Sequence, residues 1–495
     1  MTSSAITTFL VICLSLQITN GKYEPTWDSI DARPLPDWYD EAKLGVFIHW
    51  GVFAVQSYST EWAWFNWKEN KSSSLVQYIE DNYPKGFTYQ DFAKDFKAEL
   101  YDPDRWAKII GASGARYVVL TSKHHEGFAM WPSKYSFSWN AMDVGPHRDL
   151  VGELRTAFEN YTDIKFGLYH SLYEWYNPLY LADKARNFTN LGPVNFADSK
   201  IFPEMVELVE QYKPHVFWSD GEWEAPTSYW KSLEFLAWLY NESPVRDTVV
   251  VNDRWGHDTL CKHGGFLTCA DRFNPGKLQT RKFENAMTID RKSWGYRRTA
   301  SLSDYLTINQ LLVTLTTTVS CGGNVLVNIG PTKDGIIPPI YEERLLQLGS
   351  WMKVNGEAIY SSKPWIVCQN DSLTPGIWYT TNKDKTVLYA TFSPWPVDNK
   401  LKMSCPEFSA ETTIELLGLR GKLSYSYPTD VVTGRLVEIQ LPDKARVASE
   451  WVWTLKMKGV KNLQESYETV SEREFEAGIT VKSNGFQQML REVLR

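Results

Sequence analysis

Short apolar runs alternate with longer amphipathic segments along most of the chain. Such alternation is typical of βα units, which build a parallel sheet. The eight apolar runs lie at residues 44–51, 116–128, 165–172, 215–223, 249–256, 265–273, 286–296 and 324–331. The clearest helical patterns lie at residues 149–161, 201–212, 228–240, 302–315 and 341–356. Eight repeats match a (β/α)8 barrel of the TIM type, and the sixth and seventh are the least regular because their helices are hard to see.

A doubly wound parallel sheet is the alternative fold for this alternation. That fold normally carries a glycine-rich phosphate loop directly after its first strand. Here the first run ends in Ile-His-Trp-Gly at 48–51. We therefore predict the barrel.

The pattern changes after Pro364. From there to residue 460, short alternating runs are separated by turn residues and show no helical period. This pattern predicts an antiparallel β-domain, most simply a sandwich. The predicted organisation is a signal peptide at residues 1–21, a barrel at 22–364, a β-sandwich at 365–460 and a polar tail at 461–495.

The first residues resemble a cleaved secretory signal. The apolar run at 5–16 is too short to span a bilayer, and the small residues Thr19 and Gly21 follow it. Export also fits the five Asn-x-Ser/Thr sequons, at Asn70, Asn160, Asn187, Asn241 and Asn370. Five cysteines remain after residue 21, an odd number, so at least one is unpaired within the chain. Cys261 and Cys269 are close enough to bridge one loop, although spacing does not fix the pairing.

Composition excludes two classes of partner. There are 52 basic and 59 acidic residues, a net charge of −7, whereas nucleic-acid binding needs a basic face. After the signal, no apolar run reaches transmembrane length. The hydrophobic fraction of 43% supports a large folded core, and the aromatic fraction of 14% supplies rings that also pack against the C–H faces of sugars.

Most of the apolar runs end in side chains that can bind a polar ligand. In barrel enzymes the working residues lie at the C-terminal ends of the strands. The residues at these ends are His49, Trp50, His124, His125, Glu126, Tyr169, His170, Asp220, Glu222, Trp223, Asp253, Arg254, Trp255, Asp271, Arg272, Trp294, Tyr296 and Asn328. Hydrogen-bonding groups beside flat apolar rings are what a monosaccharide site needs. We therefore predict a sugar site on this rim.

A metal site is the main competing interpretation of the same rim. Four histidines, at positions 49, 124, 125 and 170, are candidate zinc ligands. Neighbouring residues of a strand point to opposite faces, so His124 and His125 cannot both reach one metal without a local distortion. We therefore expect no metal.

Hydrolysis of a glycosidic bond normally requires two carboxylates. Asp220 follows the apolar Val-Phe-Trp-Ser run directly and precedes a glycine, which places a short carboxylate at the end of the fourth strand. Its partner is open among four carboxylates, since sequence gives no distances. The eligible residues are Glu61, Glu222, Asp271 and Glu284.

At these residues the chain resembles the tissue α-L-fucosidases of animals, in glycoside hydrolase family 29. The similarity runs from about Tyr23 to about Val460. The motifs that carry it are GVFIHWG (45–51), SKHHEGF (122–128), GLYHSLYEW (167–175), WSDGEWE (218–224), VNDRWG (251–256) and SWGYRR (293–298). The resemblance implies a retaining exo-hydrolase that removes terminal α-L-fucose from glycoproteins, glycolipids and oligosaccharides, through a covalent fucosyl-enzyme and without a cofactor. It also implies a barrel followed by a β-sandwich, often assembled as a homotetramer, in the lysosome or secreted.

The resemblance assigns roles by motif. Asp220 of WSDGEW corresponds to the nucleophile, and Asp271 of the Cys-x-Asp-x-Phe stretch resembles the acid/base. An older acid/base candidate corresponds to Glu284, but two neighbours in its signature differ here, since Phe283 replaces Trp and Ala286 replaces Cys. Asp271 is therefore favoured. The sugar-binding positions implied are His49, Glu61, Trp62, His124, His125, Tyr169, Arg254 and Trp294.

Two other functions are compatible with the same rim. A secreted fucose-binding recognition protein that has lost catalysis would bind the sugar without cleaving fucosides. A metal-dependent amidohydrolase on the same barrel would lose activity to chelators. The sequence leaves the fucose linkage preference open, as well as the choice between lysosome and secretion.

Overall fold

The computed structural model describes residues 23–427 and 436–464. The predicted signal peptide at 1–21 and nearly all of the predicted tail lie outside the described residues.

A seven-stranded, wholly parallel sheet forms the first part of the chain. Its order is β5-β4-β3-β2-β1-β7-β6. The strands are β1 (Leu44–Ile48), β2 (Tyr117–Lys123), β3 (Lys165–Ser171), β4 (Val216–Asp220), β5 (Val250–Val251), β6 (Phe283–Thr288) and β7 (Gly323–Ile329). One alternating set of side chains, including Phe47, Tyr169 and Trp218, packs into a single buried cluster inside the curled sheet. The prediction of a TIM-like barrel is confirmed.

The sixth predicted strand is not a regular strand. Only an isolated parallel bridge forms there, between Leu267 and Phe283. The amide of neighbouring Phe266 donates to the carbonyl of Val251 at 3.0 Å. On the other side, the amide of Glu284 donates to the carbonyl of Leu267 at 2.8 Å, so the segment links the two edge strands β5 and β6 and completes the ring.

The seventh predicted strand begins earlier than expected. The apolar pattern predicts this strand at 286–296, whereas β6 spans Phe283–Thr288. All six of its residues are buried, so polar Glu284 and Asn285 lie inside the strand although their polarity suggests a loop. A strand buried on both faces has no polar alternation to mark its start.

Helices follow most strands and pack outside the sheet. They are α1 (Trp27–Asp31), α2 (Asp37–Ala42), α3 (Phe53–Gln56), α4 (Ala63–Lys68), α5 (Ser73–Asn82), α6 (Pro103–Ala112), α7 (Leu150–Tyr161), α8 (Pro178–Ala185), α9 (Phe202–Tyr212), α10 (Thr227–Trp230), α11 (Ser232–Asn241), α12 (Ile308–Ser320) and α13 (Pro339–Asn355). Short 3-10 turns lie at Tyr89–Asp95, Glu222–Glu224, Leu302–Asp304, Gly356–Ala358 and Lys444–Arg446, and a π-helical turn at Ala197–Ile201. No helix in the described residues has both the length and the apolarity to cross a bilayer.

Local chemistry sets where α12 begins. The sequence pattern predicts a helix from residue 302, but only a 3-10 turn forms there. Thr307 and Gln310 then form a capping box, each side chain hydrogen-bonding the other's backbone. Because this box satisfies amides that a helix start leaves free, α12 begins at Ile308.

Two antiparallel sheets form the C-terminal part. Their strands are β8 (Lys363–Pro364), β9 (Ile377–Thr381), β10 (Leu388–Phe392), β11 (Lys400–Met403), β12 (Thr413–Leu416), β13 (Tyr425–Ser426), β14 (Val437–Gln440) and β15 (Trp453–Lys458). The orders are β12-β15-β10-β9-β8 and β11-β14-β13. Apolar residues of both sheets share one core. The predicted sandwich is confirmed.

Candidate active site

A cavity of about 310 Å³ opens where the parallel strands end. It is lined by Phe47, His49, Glu61, Trp62, His124, His125, Tyr169, Trp218, Asp220, Trp223, Arg254, Asp271 and Trp294. All eight predicted sugar-binding residues are among them, together with two of the three predicted catalytic carboxylates. Convergence is expected, because parallel strands bring their C-terminal ends to one edge.

Asp220, the last residue of β4, is held from two sides. The hydroxyl of Tyr169 donates to its Oδ2 at 2.7 Å, and Arg254 Nη1 donates to its Oδ1 at 3.1 Å. Burial and the nearby Asp220 charge raise the pKa of Tyr169 well above its usual value, so this phenol remains a donor. Both contacts fix the carboxylate's orientation while leaving it at the cavity.

Arg254 joins Asp220 to a second carboxylate. Its Nη2 donates to Asp271 Oδ1 at 2.7 Å, and its Nε donates to Thr268 at 3.0 Å. Burial alone would lower the pKa of Arg254, but the carboxylates of Asp220, Glu222 and Asp271 raise it, so the guanidinium is charged. One cation thus positions two carboxylates at the same cavity.

The loop that carries Asp271 is anchored to buried Asp253. The Oδ1 atom of Asp253 accepts a hydrogen bond from Thr268 at 2.6 Å, and its Oδ2 atom accepts from the amides of Cys261 and Cys269 at 2.8 and 3.2 Å. The two cysteines form a disulfide, and a second links Cys368 to Cys405. Asp271 itself remains accessible, with 47% of its side chain exposed.

His49 presents an acceptor nitrogen to the cavity. Its Nδ1 lies 2.7 Å from Asn328 Oδ1. The amide nitrogen of Asn328 donates to Thr288 and to the Trp294 carbonyl, which makes Oδ1 the acceptor for the Nδ1 proton. Burial lowers the pKa of His49 well below its usual value, so Nε2 carries a free lone pair.

His125 has the same tautomer for a different reason. Its Nδ1 lies 2.7 Å from the Ser171 hydroxyl, which itself donates to the Tyr173 carbonyl at 2.8 Å. The hydroxyl proton is used, so the serine oxygen accepts from Nδ1. Burial lowers the pKa of His125 well below its usual value, and its Nε2 lies 3.6 Å from Asp220 Oδ2.

His124 and Glu61 complete the polar lining. His124 Nδ1 lies 3.5 Å from Glu126 Oε2, and the ring stacks on Tyr169 with centroids 5.7 Å apart. Glu61 Oε2 accepts from the Ser293 hydroxyl and from the amides of Trp294 and Gly295, at 2.9 to 3.0 Å. Three donors on one oxygen hold this carboxylate rigidly and leave its other oxygen for a ligand.

Aromatic rings form the apolar walls. Trp62 and Trp223 stack at the mouth with centroids 6.0 Å apart, and 41% of Trp223 is exposed. Trp294 lies 5.1 Å from the His49 ring. Phe47 and Trp218 also line the cavity but were not predicted as site residues. They lie inside the apolar runs, and only strand alternation, counted back from His49 and Asp220, could have indicated them.

Glu284 does not reach the cavity. It is fully buried within the barrel and accepts hydrogen bonds from Tyr39, Tyr117 and Trp218. His170, the fourth candidate zinc ligand, is also buried away from the cavity and contacts Glu204 at 3.1 Å. Within the described parts of the chain, no three His, Cys, Asp or Glu side chains are grouped so as to hold a metal.

Glu222 lies next to the site but does not line it. It is 4% exposed, and none of the residues that the structure describes hydrogen-bonds its Oε2. Burial raises the pKa of Glu222 to about 8, with Arg254 opposing the rise and Asp220 adding to it. In the native protein this acid is therefore neutral over the acidic range.

A Glu222→Gln variant is expected to be more stable than the wild type at pH 8 by about 4 kcal/mol and equally stable at pH 4. In the unfolded chain the glutamate ionises near pH 4.5, whereas in the native chain it stays protonated to about pH 8. Unfolding therefore becomes easier as pH rises between these values, and glutamine removes this effect. Thermal unfolding of both proteins from pH 4 to 8 measures it. Equal pH slopes would contradict the assignment.

Four of the five sequon asparagines are exposed, namely Asn70, Asn160, Asn187 and Asn370. Asn241, at the end of α11, is partly buried, and both the oxygen and the nitrogen of its side-chain amide form hydrogen bonds. Its Oδ1 accepts from the Tyr23 amide, and its Nδ2 donates to the carbonyls of Tyr23 and Ala237, each at 2.8 Å. Both protons of Nδ2 are therefore used.

Comparison with known proteins gives a consistent result. The family model described as alpha-L-fucosidase matches residues 10–357, and that for the alpha-L-fucosidase C-terminal domain matches residues 369–458. An alpha-L-fucosidase of Branchiostoma floridae is 53% identical over 454 residues, covering 91% of this chain and 99% of that protein. The plasma alpha-L-fucosidase of Homo sapiens is 51% identical over 440 residues, covering 89% and 93%.

A solved structure matches as well. The alpha-fucosidase of Thermotoga maritima in complex with fucose aligns with a TM-score of 0.73 at 32% identity, covering 88% of this chain and 100% of that one. The similarity spans both the barrel and the β-sandwich. This chain belongs to the alpha-L-fucosidase family of glycoside hydrolases.

Proposed function

We propose that this protein removes terminal α-L-fucose from glycans by double displacement, with Asp220 as nucleophile and Asp271 as acid/base. The observation that carries the proposal is the fork of Arg254, which holds both carboxylates at one cavity. Retaining glycosidases need two carboxyl groups near each other on one bound sugar. The cavity volume of about 310 Å³ fits one monosaccharide, which supports an exo-acting enzyme.

In the first step, Asp220 attacks the anomeric carbon while the bond to the leaving oxygen breaks. Asp271 gives its proton to that oxygen, so the aglycone departs as a neutral alcohol. In the second step, Asp271 takes a proton from water, the water oxygen attacks the anomeric carbon, and the bond to Asp220 breaks. Fucose leaves with the same anomeric configuration as the substrate.

Asp271 is proposed as the acid/base because its carboxyl group is accessible to the leaving group and to water. Its side chain is half exposed at the cavity, where a leaving group and water can reach it. Glu284 is enclosed in the barrel, and Glu222 does not line the cavity. Glu61 does line it, but one of its oxygens already accepts three hydrogen bonds, as expected for a residue that binds hydroxyls.

The remaining lining residues bind the sugar. The acceptor nitrogens of His49 and His125 and the free oxygen of Glu61 suit ring hydroxyl donors. Arg254 and Tyr169 orient the nucleophile. Trp294 offers an apolar wall for the C6 methyl group, which distinguishes fucose from galactose. His124 and Trp62 complete the polar and aromatic lining.

We infer that the chain has four parts. Residues 1–21 are a secretory signal, 22–364 and 365–460 fold as the catalytic and β-sandwich domains, and 461–495 is a tail. The signal directs the protein into the secretory pathway, which leads to the lysosome or to secretion. A homotetramer is the expected assembly, and light scattering of the purified protein measures it.

Release of 4-nitrophenol from its α-L-fucoside between pH 4 and 7 tests the function directly. Turnover is expected, with equal rates in EDTA because no metal takes part in the proposed steps. Folded protein that binds fucose but releases no nitrophenol would instead support the recognition protein. Activity that EDTA removes would support a metal-dependent hydrolase.

Asn241 is expected to carry no glycan, in contrast to the four exposed sequons. A glycan on Nδ2 would replace one of its two protons, and the bond to Tyr23 or to Ala237 would be lost. Peptide mapping by mass spectrometry, after enzymatic removal of glycans in heavy-oxygen water, distinguishes occupied asparagines. Asn160, near the end of another helix and exposed, is the matched control. An occupied Asn241 would contradict this prediction.

A further inference from the structure

Glu284 is a buried carboxyl group for which the proposed mechanism has no step. It is 0% exposed and accepts three hydrogen bonds, from Tyr39 at 2.8 Å, Tyr117 at 2.6 Å and Trp218 Nε1 at 2.9 Å. Every partner is a donor, which matches the acceptor-only chemistry of a carboxylate. Gly45 makes room for this arrangement, because a Cβ there would lie 2.5 Å from the Tyr117 ring.

The hydrogen bond from Trp218 connects the buried Glu284 carboxyl group to the active site. The Trp218 indole is 3% exposed and forms part of the cavity wall. Its face stacks on Tyr169 with centroids 5.7 Å apart and 20° between the planes. The guanidinium carbon of Arg254 lies 4.9 Å from the same ring. Among the described residues, Tyr169 and Arg254 are the two that hydrogen-bond the carboxylate of Asp220.

We infer that Glu284 is a positioning residue, which acts through the Trp218 indole to hold Tyr169 and Arg254 against the nucleophile Asp220. The carboxyl group fixes the edge of the indole, and the indole face fixes the two side chains that orient Asp220. Glu284 touches neither the sugar nor the leaving group. This inference rests on the proposed function of Asp220.

Three variants test the inference in the full-length protein. Glu284→Leu removes every acceptor, and we expect kcat/KM to fall by about 10²-fold, the scale of a small misplacement of reacting groups. The loss should be equal for activated aryl fucosides and for fucosylated oligosaccharides, since both are displaced by the same attack of Asp220 and Asp271 is unchanged. Glu284→Gln keeps an acceptor for the indole and should retain activity within about fivefold of wild type. Trp218→Phe should reproduce the loss of Glu284→Leu.

The double variant gives the sharpest readout. If Glu284 acts through Trp218, Glu284→Leu with Trp218→Phe should lose no more than the larger of the single losses. Tyr39→Phe is the matched control, because it removes one bond to the same carboxyl and leaves the Trp218 bond intact. It should lower the unfolding temperature without changing kcat/KM by more than about twofold.

Two results would overturn the inference. The first is a Gln variant as inactive as the Leu variant, with activated fucosides spared, which is the behaviour of an acid/base residue. The second is a folded Trp218→Phe protein with full activity, a test that stands even if Glu284→Leu does not fold. Failure of the proposed function would differ, since wild-type protein would then hydrolyse no fucoside.

Discussion

An Asp220→Gly variant is expected to lose at least about 10⁴-fold in kcat for fucoside hydrolysis while keeping its fold. Without the carboxylate no covalent fucosyl-enzyme forms. The fold should persist because Arg254, although it loses one partner, keeps its bonds to Asp271 and Thr268. Stopped assays with an aryl α-L-fucoside measure the loss, and thermal unfolding checks the fold.

Azide should partly restore turnover in this variant. Glycine leaves space at the end of β4, and the small anion can attack the anomeric carbon from the side that Asp220 occupied. A single displacement inverts the centre, so the product from an α-fucoside is β-L-fucosyl azide. Proton NMR of the product assigns the anomer. An active glycine variant without azide would exclude Asp220 as the nucleophile.

An Asp271→Ala variant is expected to lose about 10²- to 10⁴-fold on fucosylated oligosaccharides and much less on activated aryl fucosides. A poor leaving oxygen needs the proton of Asp271, whereas a nitrophenolate departs without one. The comparison of kcat/KM across leaving groups of graded acidity measures the effect.

Azide distinguishes this variant from the nucleophile variant. With Asp220 intact the fucosyl-enzyme still forms, and azide then attacks it in place of activated water. Two inversions give α-L-fucosyl azide, the opposite anomer. Glu284→Gln, which keeps Asp271, is the matched control and should give no more fucosyl azide than the wild-type protein does. The same leaving-group dependence at Glu284 would transfer the acid/base role to that residue.

The sequence determined the rim of the site through the position of polar side chains after apolar runs. Asp220 and His49 each follow a buried run, and parallel strands necessarily bring such ends together. For this reason all eight predicted sugar-binding residues line the cavity, although they are spread from position 49 to position 294. The change of period after Pro364 likewise predicted the β-sandwich.

Only the tertiary structure separated the competing carboxylates. Glu284 and Asp271 are close in sequence, yet Glu284 lies inside β6 while Asp271 lies on an exposed loop. Strand β6 is buried on both faces, so its sequence does not alternate between polar and apolar residues and gives no sign of where the strand begins. Burial of Glu222 and the engaged amide of Asn241 depend equally on residues distant in sequence.

The order of strands and helices and the residue types at the rim can thus be predicted from local sequence, because they depend on the periodicity of each segment and on the residues that end each apolar run. Distances, burial and hydrogen-bond partners are not local. The fork of Arg254 joins carboxylates 34 and 17 positions away from it, and no spacing rule predicts that contact. Side chains far apart in sequence meet only when the sheet closes, and that closure decides which carboxylate binds, which reacts and which supports the others.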